Sequence, residues 1–364
     1  MMSWSPTPRR EAVSGLILLW SKPEWRASTQ ADDIRAALHS MLTDPDEVQR
    51  FHAAQVIRLL EPDLPAALAL IHERLRTEAH AYVAAVLMTE LGALRFEHAH
   101  DVDQVVGDII DREPWATVVG AGDSNDDREI ADSLVPVVLW LSIRMQTPNA
   151  VALVQSWVAN PAGSEAGRRS MWLVRDWLSL PLDRSDERHR AFELAKTAAT
   201  ALQTATHNTD DETRLKTVYE SVKVLTNTVY FASGAFGEQG QNPTDAPEGF
   251  AEEAFDLLNL LTAFRHPSIV HHIVQTAEHL AVADPKRAFA LVHSAVRPGE
   301  PYSYDSLAAN VTISLIERYL ADFREIVLTD HELLSQVRAV LDAFVRVGWP
   351  TAVSLSYRLA AAFR

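Results

Sequence analysis

The 364-residue chain contains no cysteine. That absence excludes disulfides, thiolate zinc sites, iron–sulfur clusters and cysteine nucleophiles together, and it fits a reducing compartment. Glycine is scarce at 13 residues, and no Walker-type phosphate loop occurs in the sequence. Long apolar runs are also missing: none approaches the ~18 residues that a membrane-spanning helix needs. Arg9 and Arg10 precede a short apolar stretch at 16–20, but Glu11 interrupts its start. Ser21, Lys22 and Pro23 follow it without the small-residue pattern of a cleavage site. The expectation is a cytoplasmic protein with no membrane partner.

Positive charge is in short supply. Lys and Arg number 33 against 49 Asp and Glu, a formal net charge of −16. Half of that excess sits in 101–134, which holds 10 acidic and 2 basic residues. A chain this acidic repels phosphate backbones, and no basic stripe offsets it, so nucleic acid is not an expected partner. What the chain does have is apolar surface: 47% of its residues are hydrophobic, enough for a continuous core and too many for disorder. A single globule of this length would exceed the usual domain size, whereas a repeat array escapes that limit because each unit packs only on its neighbours.

The apolar spacing is helical almost everywhere. Leu307, Val311, Leu315, Tyr319, Phe323 and Val327 recur every four residues; Val48, Ala53, Val56, Ile57 and Leu60 form a similar stripe, as do Phe250, Ala254, Leu257, Leu258, Leu261 and Phe264. Strand alternation is rare, and its best candidate is Ala116, Thr117, Val118 and Val119. Start signals are clear at Asp44-Pro45-Asp46-Glu47, Asp284-Pro285 and Thr329-Asp330; stop signals stand at Pro298-Gly299 and Gly348-Trp349-Pro350. Such signals divide the chain into about fifteen helices with short connections, which predicts antiparallel helix pairs. The expected fold is therefore all-α, an α-solenoid of antiparallel pairs in a HEAT/ARM-like superhelix. Two longer loops, 113–125 and 233–245, divide it into helical arrays at 1–112, 126–232 and 246–364.

Two resemblances add to this reading. Val48, Arg50, Ala53 and Ala54, following Asp46, resemble the second-helix pattern of HEAT repeats, and about 31 residues later Val83, Ala84 and Ala85 precede Gly92 in similar fashion. The C-terminal part is similar to the helical-repeat tails of large bacterial multidomain ATP-binding proteins, some of them associated with antiviral defence. The residues that carry this are Asp284-Pro285, Tyr304 to Ala308, Glu317-Arg318-Tyr319, Gly348-Trp349-Pro350 and Tyr357-Arg358-Leu359. They cover about 80 residues and are packing motifs, so the resemblance implies a sensing or partner-binding module that works with a separate effector or NTPase, and it implies no catalytic residue.

Candidate chemistry is sparse. His98, His100, Asp101 and Asp103 combine imidazole and carboxylate in a way that can ligate a divalent metal. The His100-Asp101 dipeptide resembles all-α HD-type phosphohydrolases, although its surroundings here are polar, as suits a solvated loop and helix cap. His266, His271, His272 and His279 cluster without an acidic ligand other than Glu278. Asp123, Asn125 and Asp127 imitate the start of a calcium loop, but Arg128 replaces its glycine and Leu134 its closing glutamate. Gly120 and Gly122 have an acidic cluster behind them that would repel a nucleotide phosphate. Asp210-Asp211-Glu212 fits the acidic first turn of a helix. The best binding patch is Arg168, Trp172 and Arg175, at i, i+4 and i+7 of one expected helix, residue types favoured at interface hot spots. The expected function is a non-enzymatic scaffold or sensor that binds another protein, with no catalytic residue, metal or cofactor. The alternatives are a metal-dependent hydrolase built on His98, His100 and Asp101, and a HEAT-type nucleic-acid binder resembling the alkylpurine glycosylases.

Overall fold

The computed structural model describes residues 8–119, 124–208, 211–236, 245–296 and 306–362. The regular structure of the described residues is entirely helical, with no strand. They form two compact units, Met1–Trp157 with Gly163–Ser170, and Val158–Ala162 with Met171–Arg364. That division falls within the stretch expected to form the middle array. Pro298, Gly299, Tyr304, Asp305, Gly120, Gly122, Asp123 and Asp210 lie outside the described residues.

The helices run, in order, α1 (Pro8–Trp20), α2 (Pro23–Arg26), α3 (Ala31–Met41), α4 (Glu47–Ala54), α5 (Leu64–Thr77), α6 (Ala81–Leu94), α7 (Ala99–Ile109), α8 (Trp115–Val119), α9 (Asn125–Trp140) and α10 (Pro148–Ala159). After α11 (Glu165–Leu173) come α12 (Arg175–Leu178), α13 (Ser185–His207), α14 (Glu212–Ala232), α15 (Phe250–Leu261), α16 (Pro267–Leu280) and α17 (Pro285–Val296). The last four are α18 (Ser306–Asp322), α19 (Arg324–Thr329), α20 (His331–Arg346) and α21 (Pro350–Ala362). In the first unit α1 packs on α3 and α4, α4 on α6, α5 on α6 and α7, and α6 on α9. In the second, α13 packs on α14 and α15, α14 on α16, α15 on α17, α16 on α17 and α18, and α18 on α20 and α21. A helix thus meets the next, the next but one or the next but two.

The periodic stripes point inward as their spacing requires. Phe250, Ala254, Leu257, Leu258 and Leu261 are fully or almost fully buried on α15, and Leu315, Tyr319 and Val327 are fully buried beyond it. The caps follow side-chain chemistry. Asp284 accepts the Lys286 and Arg287 amides at 3.0 Å each, and Asp330 accepts those of Glu332 and Leu333. At α4 the cap is displaced by two residues. Asp46, not Asp44, accepts the Val48 amide, because Asp44 is spent on the Asp46 amide.

Three expectations are corrected. The strand candidate Ala116 to Val119 is the helix α8: the Ala116 amide donates to Arg112, and Trp115 and Val118 are both fully buried at helical spacing. The long stripe from Leu307 to Val327 is cut at Phe323, which separates α18 from α19. The single helix expected to carry Arg168, Trp172 and Arg175 is broken at Val174 into α11 and α12. At the break the Thr228 hydroxyl of α14 lies 3.0 Å from the Met171 carbonyl, the acceptor that the Arg175 amide would use in a continuous helix, and 2.9 Å from the Val224 carbonyl of its own helix.

Candidate protein-binding surface

Breaking the helix at Val174 fixes how Trp172 meets α14. Its indole lies edge-on to Phe231, with ring centroids 5.8 Å apart, and the Arg175 guanidinium sits 4.9 Å from the Trp172 ring. Phe231 in turn meets Phe236 at 4.9 Å and Tyr230 at 5.5 Å. Tyr230 reaches His272 on α16 at 5.0 Å, and His272 lies 5.4 Å from His271. An aromatic run therefore extends from α11 across the end of α14 to α16, all within the second unit. Tyr230 is buried, Trp172 and Phe231 are half-buried, and Phe236 is 48% exposed. Edge-to-face pairs of this kind contribute about 0.5–1.5 kcal/mol each beyond area burial, so the exposed end is held by a rigid base.

Polar atoms beside this run lack partners. Nδ1 of His271 and Oδ1 of Asn227 are buried and unbonded. Buried polar groups normally find a hydrogen bond, and each that does not costs roughly 1–3 kcal/mol. Burial lowers the His272 pKa below its ordinary value; His271 and Lys223 add to that effect, and Gln275 opposes it. At neutral pH the His272 ring is uncharged, with one nitrogen free to accept. Burial also raises the Tyr230 pKa. The surface thus offers flat apolar rings with a cation at one end.

Arg168 belongs to the first unit, where it bonds Glu165 through Nε at 3.1 Å and Nη2 at 2.7 Å. Trp172 and Arg175 are brought together as expected, with Arg175 also paired to Asp176 at 3.1 Å. Sequence reasoning missed Tyr230, Phe231 and Phe236. Three aromatics within seven residues, ahead of a glycine-bearing loop, were the available signal.

The other candidates resolve into local structure. His98 precedes α7 and contacts Asp101 at 3.3 Å, while His100 is exposed and Asp103 fully buried. Among the described residues no group of three or more His, Asp or Glu is placed to hold a metal ion. Asp127 forms a capping box with Ser124 at the start of α9: the Asp127 amide donates to the Ser124 hydroxyl at 3.1 Å, and Asp127 accepts the Ser124 amide at 2.8 Å. Asp211 caps α14 by accepting the Thr213 amide. His266 caps α16 in the same manner toward Ser268. No single helix among the described residues is long and apolar enough to cross a membrane.

No known family matches the sequence, and no curated protein matches it. Among solved structures the chain is similar to an engineered protein crystallised by the Northeast Structural Genomics Consortium, at 14% identity over 92% of this chain and 94% of that one. The TM-score of that pairing is 0.29, too low to carry an argument.

Proposed function

We propose that the protein is a non-enzymatic interaction module, a stack of helix pairs in which the aromatic run of the second unit binds another protein. The observation that carries this reading is the junction of Trp172, Arg175, Phe231 and Phe236. Rigid aromatics beside a guanidinium have the composition of an interface hot spot. Repeat organisation is supported by the packing of helices that follow one another in sequence, α5 on α6, α13 on α14 and α16 on α17. The resemblances to HEAT repeats and to the tails of bacterial ATP-binding proteins suit such a module, acting in the cytoplasm beside an effector supplied by another chain.

The test is affinity capture from host lysate with the intact protein, followed by mass spectrometry. A stoichiometric partner should be retained by wild type and lost, by at least about tenfold, from Phe236→Ala and from the Trp172→Ala/Arg175→Ala double variant. Capture unchanged in both variants would place the interface elsewhere and overturn this reading.

A further inference from the structure

A second surface, in the first unit, has the opposite electrostatic character to the chain that bears it. It begins at Gly92. A Cβ built there would lie 2.5 Å from Cγ2 of Val137, so glycine is what lets α6 approach α9 this closely. That approach brings the residues just past α6, Arg95 and Phe96, onto Trp140 at the end of α9. The Phe96 and Trp140 rings meet edge-on at 5.1 Å. The Arg95 guanidinium lies 4.4 Å from the Phe96 centroid and 5.4 Å from that of Trp140. Arg144 approaches the Trp140 ring at 6.0 Å.

The backbone then does something unusual. α9 runs into a π-helical turn, Leu141–Met145, which ends at Gln146 with φ 55°. Single π turns of this kind concentrate at functional sites, and the left-handed residue closing it reverses the chain. Its effect is to leave Arg144 and Met145 on the surface just past Trp140. Phe96 is 63% exposed and Met145 45%. The stage is braced from below: the Thr147 amide reaches back to the Leu141 carbonyl, and the Thr147 hydroxyl donates to the buried Asp103 carboxylate.

The two guanidiniums have no counter-charge. Neither Arg95 nor Arg144 forms an ion pair among the described residues, although Asp and Glu outnumber Lys and Arg 49 to 33. Arg95 spends one nitrogen on the Gly92 carbonyl, and its Nε is buried without any acceptor. A half-buried cation facing only aromatic rings is stabilised by about 0.5–2 kcal/mol from those rings, less than an anion would supply in the same place. At contact range the two guanidiniums favour an acidic segment over a basic one, and the chain's net charge of −16 acts only as a longer-range field that salt screens.

We infer that the surface formed by Arg95, Phe96, Trp140, Arg144 and Met145 docks an acidic linear peptide of a partner protein, with an aromatic or aliphatic anchor seated on Phe96 and Met145. The inference shares with the preceding section the reading of this chain as a binding module, but it rests on different residues. Variants at Trp172, Arg175 and Phe236 leave this surface untouched, so the two proposals fail independently.

Fluorescence anisotropy with three short labelled peptides tests it on the full chain. One is rich in Asp and Glu around a central Phe-Leu; the second replaces the acids by Lys; the third keeps the acids and replaces Phe-Leu by Ser. The first should bind best and weaken as salt rises, as contact with exposed charge demands. Arg144→Glu and Phe96→Ala, both at exposed positions that leave the core intact, should each weaken it by at least about tenfold. The proposal is overturned if the lysine peptide binds as well as the acidic one. It is equally overturned if no acidic peptide binds, or if both variants bind it within about twofold of wild type.

Discussion

Asp103 is the buried group on which the first unit should depend most. Its carboxylate is fully buried on α7, yet it accepts three hydrogen bonds from the start of α10. Oδ1 takes the Thr147 hydroxyl and the Ala150 amide, each at 2.8 Å, and Oδ2 takes the Asn149 amide at 3.1 Å. The Asn149 side chain returns a bond to the Asp103 carbonyl at 3.1 Å. A carboxylate so placed satisfies first-turn amides and faces the positive end of the helix dipole. An exposed N-cap contributes roughly 0.5–2 kcal/mol. Here the donors are buried, and truncation strands all three. Asp103→Ala should therefore cost about 3–5 kcal/mol, the range for breaking a buried charged network by removing one partner. Asp103→Asn retains one acceptor oxygen for Thr147 and Ala150 but turns an amide N–H toward the Asn149 N–H, for a cost of about 1–3 kcal/mol. For a unit of this size, the alanine change corresponds to roughly 6–20 °C in Tm. The assay is thermal and urea unfolding followed by far-UV circular dichroism and tryptophan fluorescence, reading the transition of the first unit. An alanine variant within about 1 kcal/mol of wild type, or one no worse than asparagine, would refute the reasoning.

Two other perturbations follow from the packing and the titrating groups. Gly92→Ala should cost about 1–3 kcal/mol by driving its methyl into Val137, and the double variant with Val137→Ala should recover most of that in a denaturation cycle; an innocuous single variant would contradict the close approach of α6 and α9. Burial lowers the pKa of His272 and of His293, and of His52 with help from Arg10, so each holds fewer protons folded than unfolded. Their contribution to stability is complete above the ordinary value of 6.5 and is lost as pH falls from there toward the lowered folded values. His272→Gln should flatten the fall in Tm between pH 7.5 and 5.5, and an unchanged slope would mean that this ring stays accessible to protons.

Much of the fold was legible because helix burial is periodic. The stripe Phe250, Ala254, Leu257, Leu258, Leu261 needed only its spacing to be placed inside, and Asp284 and Asp330 announced their helices by local cap chemistry. Local chemistry also misled. Asp44 and Asp46 are equally good caps in sequence, and the choice between them depends on which amide Asp44 is holding. Thr117, Val118 and Val119 are β-branched and read as a strand, whereas burial of Trp115 and Val118 decided for helix. The candidate surface was half legible: Trp172 and Arg175 share a turn, but Phe231 and His272 reach them only through the packing of α14 and α16. Asp103 sat in plain view as a metal candidate. Its role could not be read there, because its partners lie 44 to 47 residues further on.

The break between α11 and α12 has a consequence for the order in which the protein takes shape. Nothing between 171 and 178 stops a helix, since that stretch holds neither glycine nor proline. What meets the break is a hydroxyl 57 residues downstream, on Thr228. On the ribosome, the segment bearing Trp172 and Arg175 is made well before that hydroxyl exists. The contact of that segment with α14 is therefore a late event, and the proposed binding surface is complete only once the chain that follows it has been translated and packed.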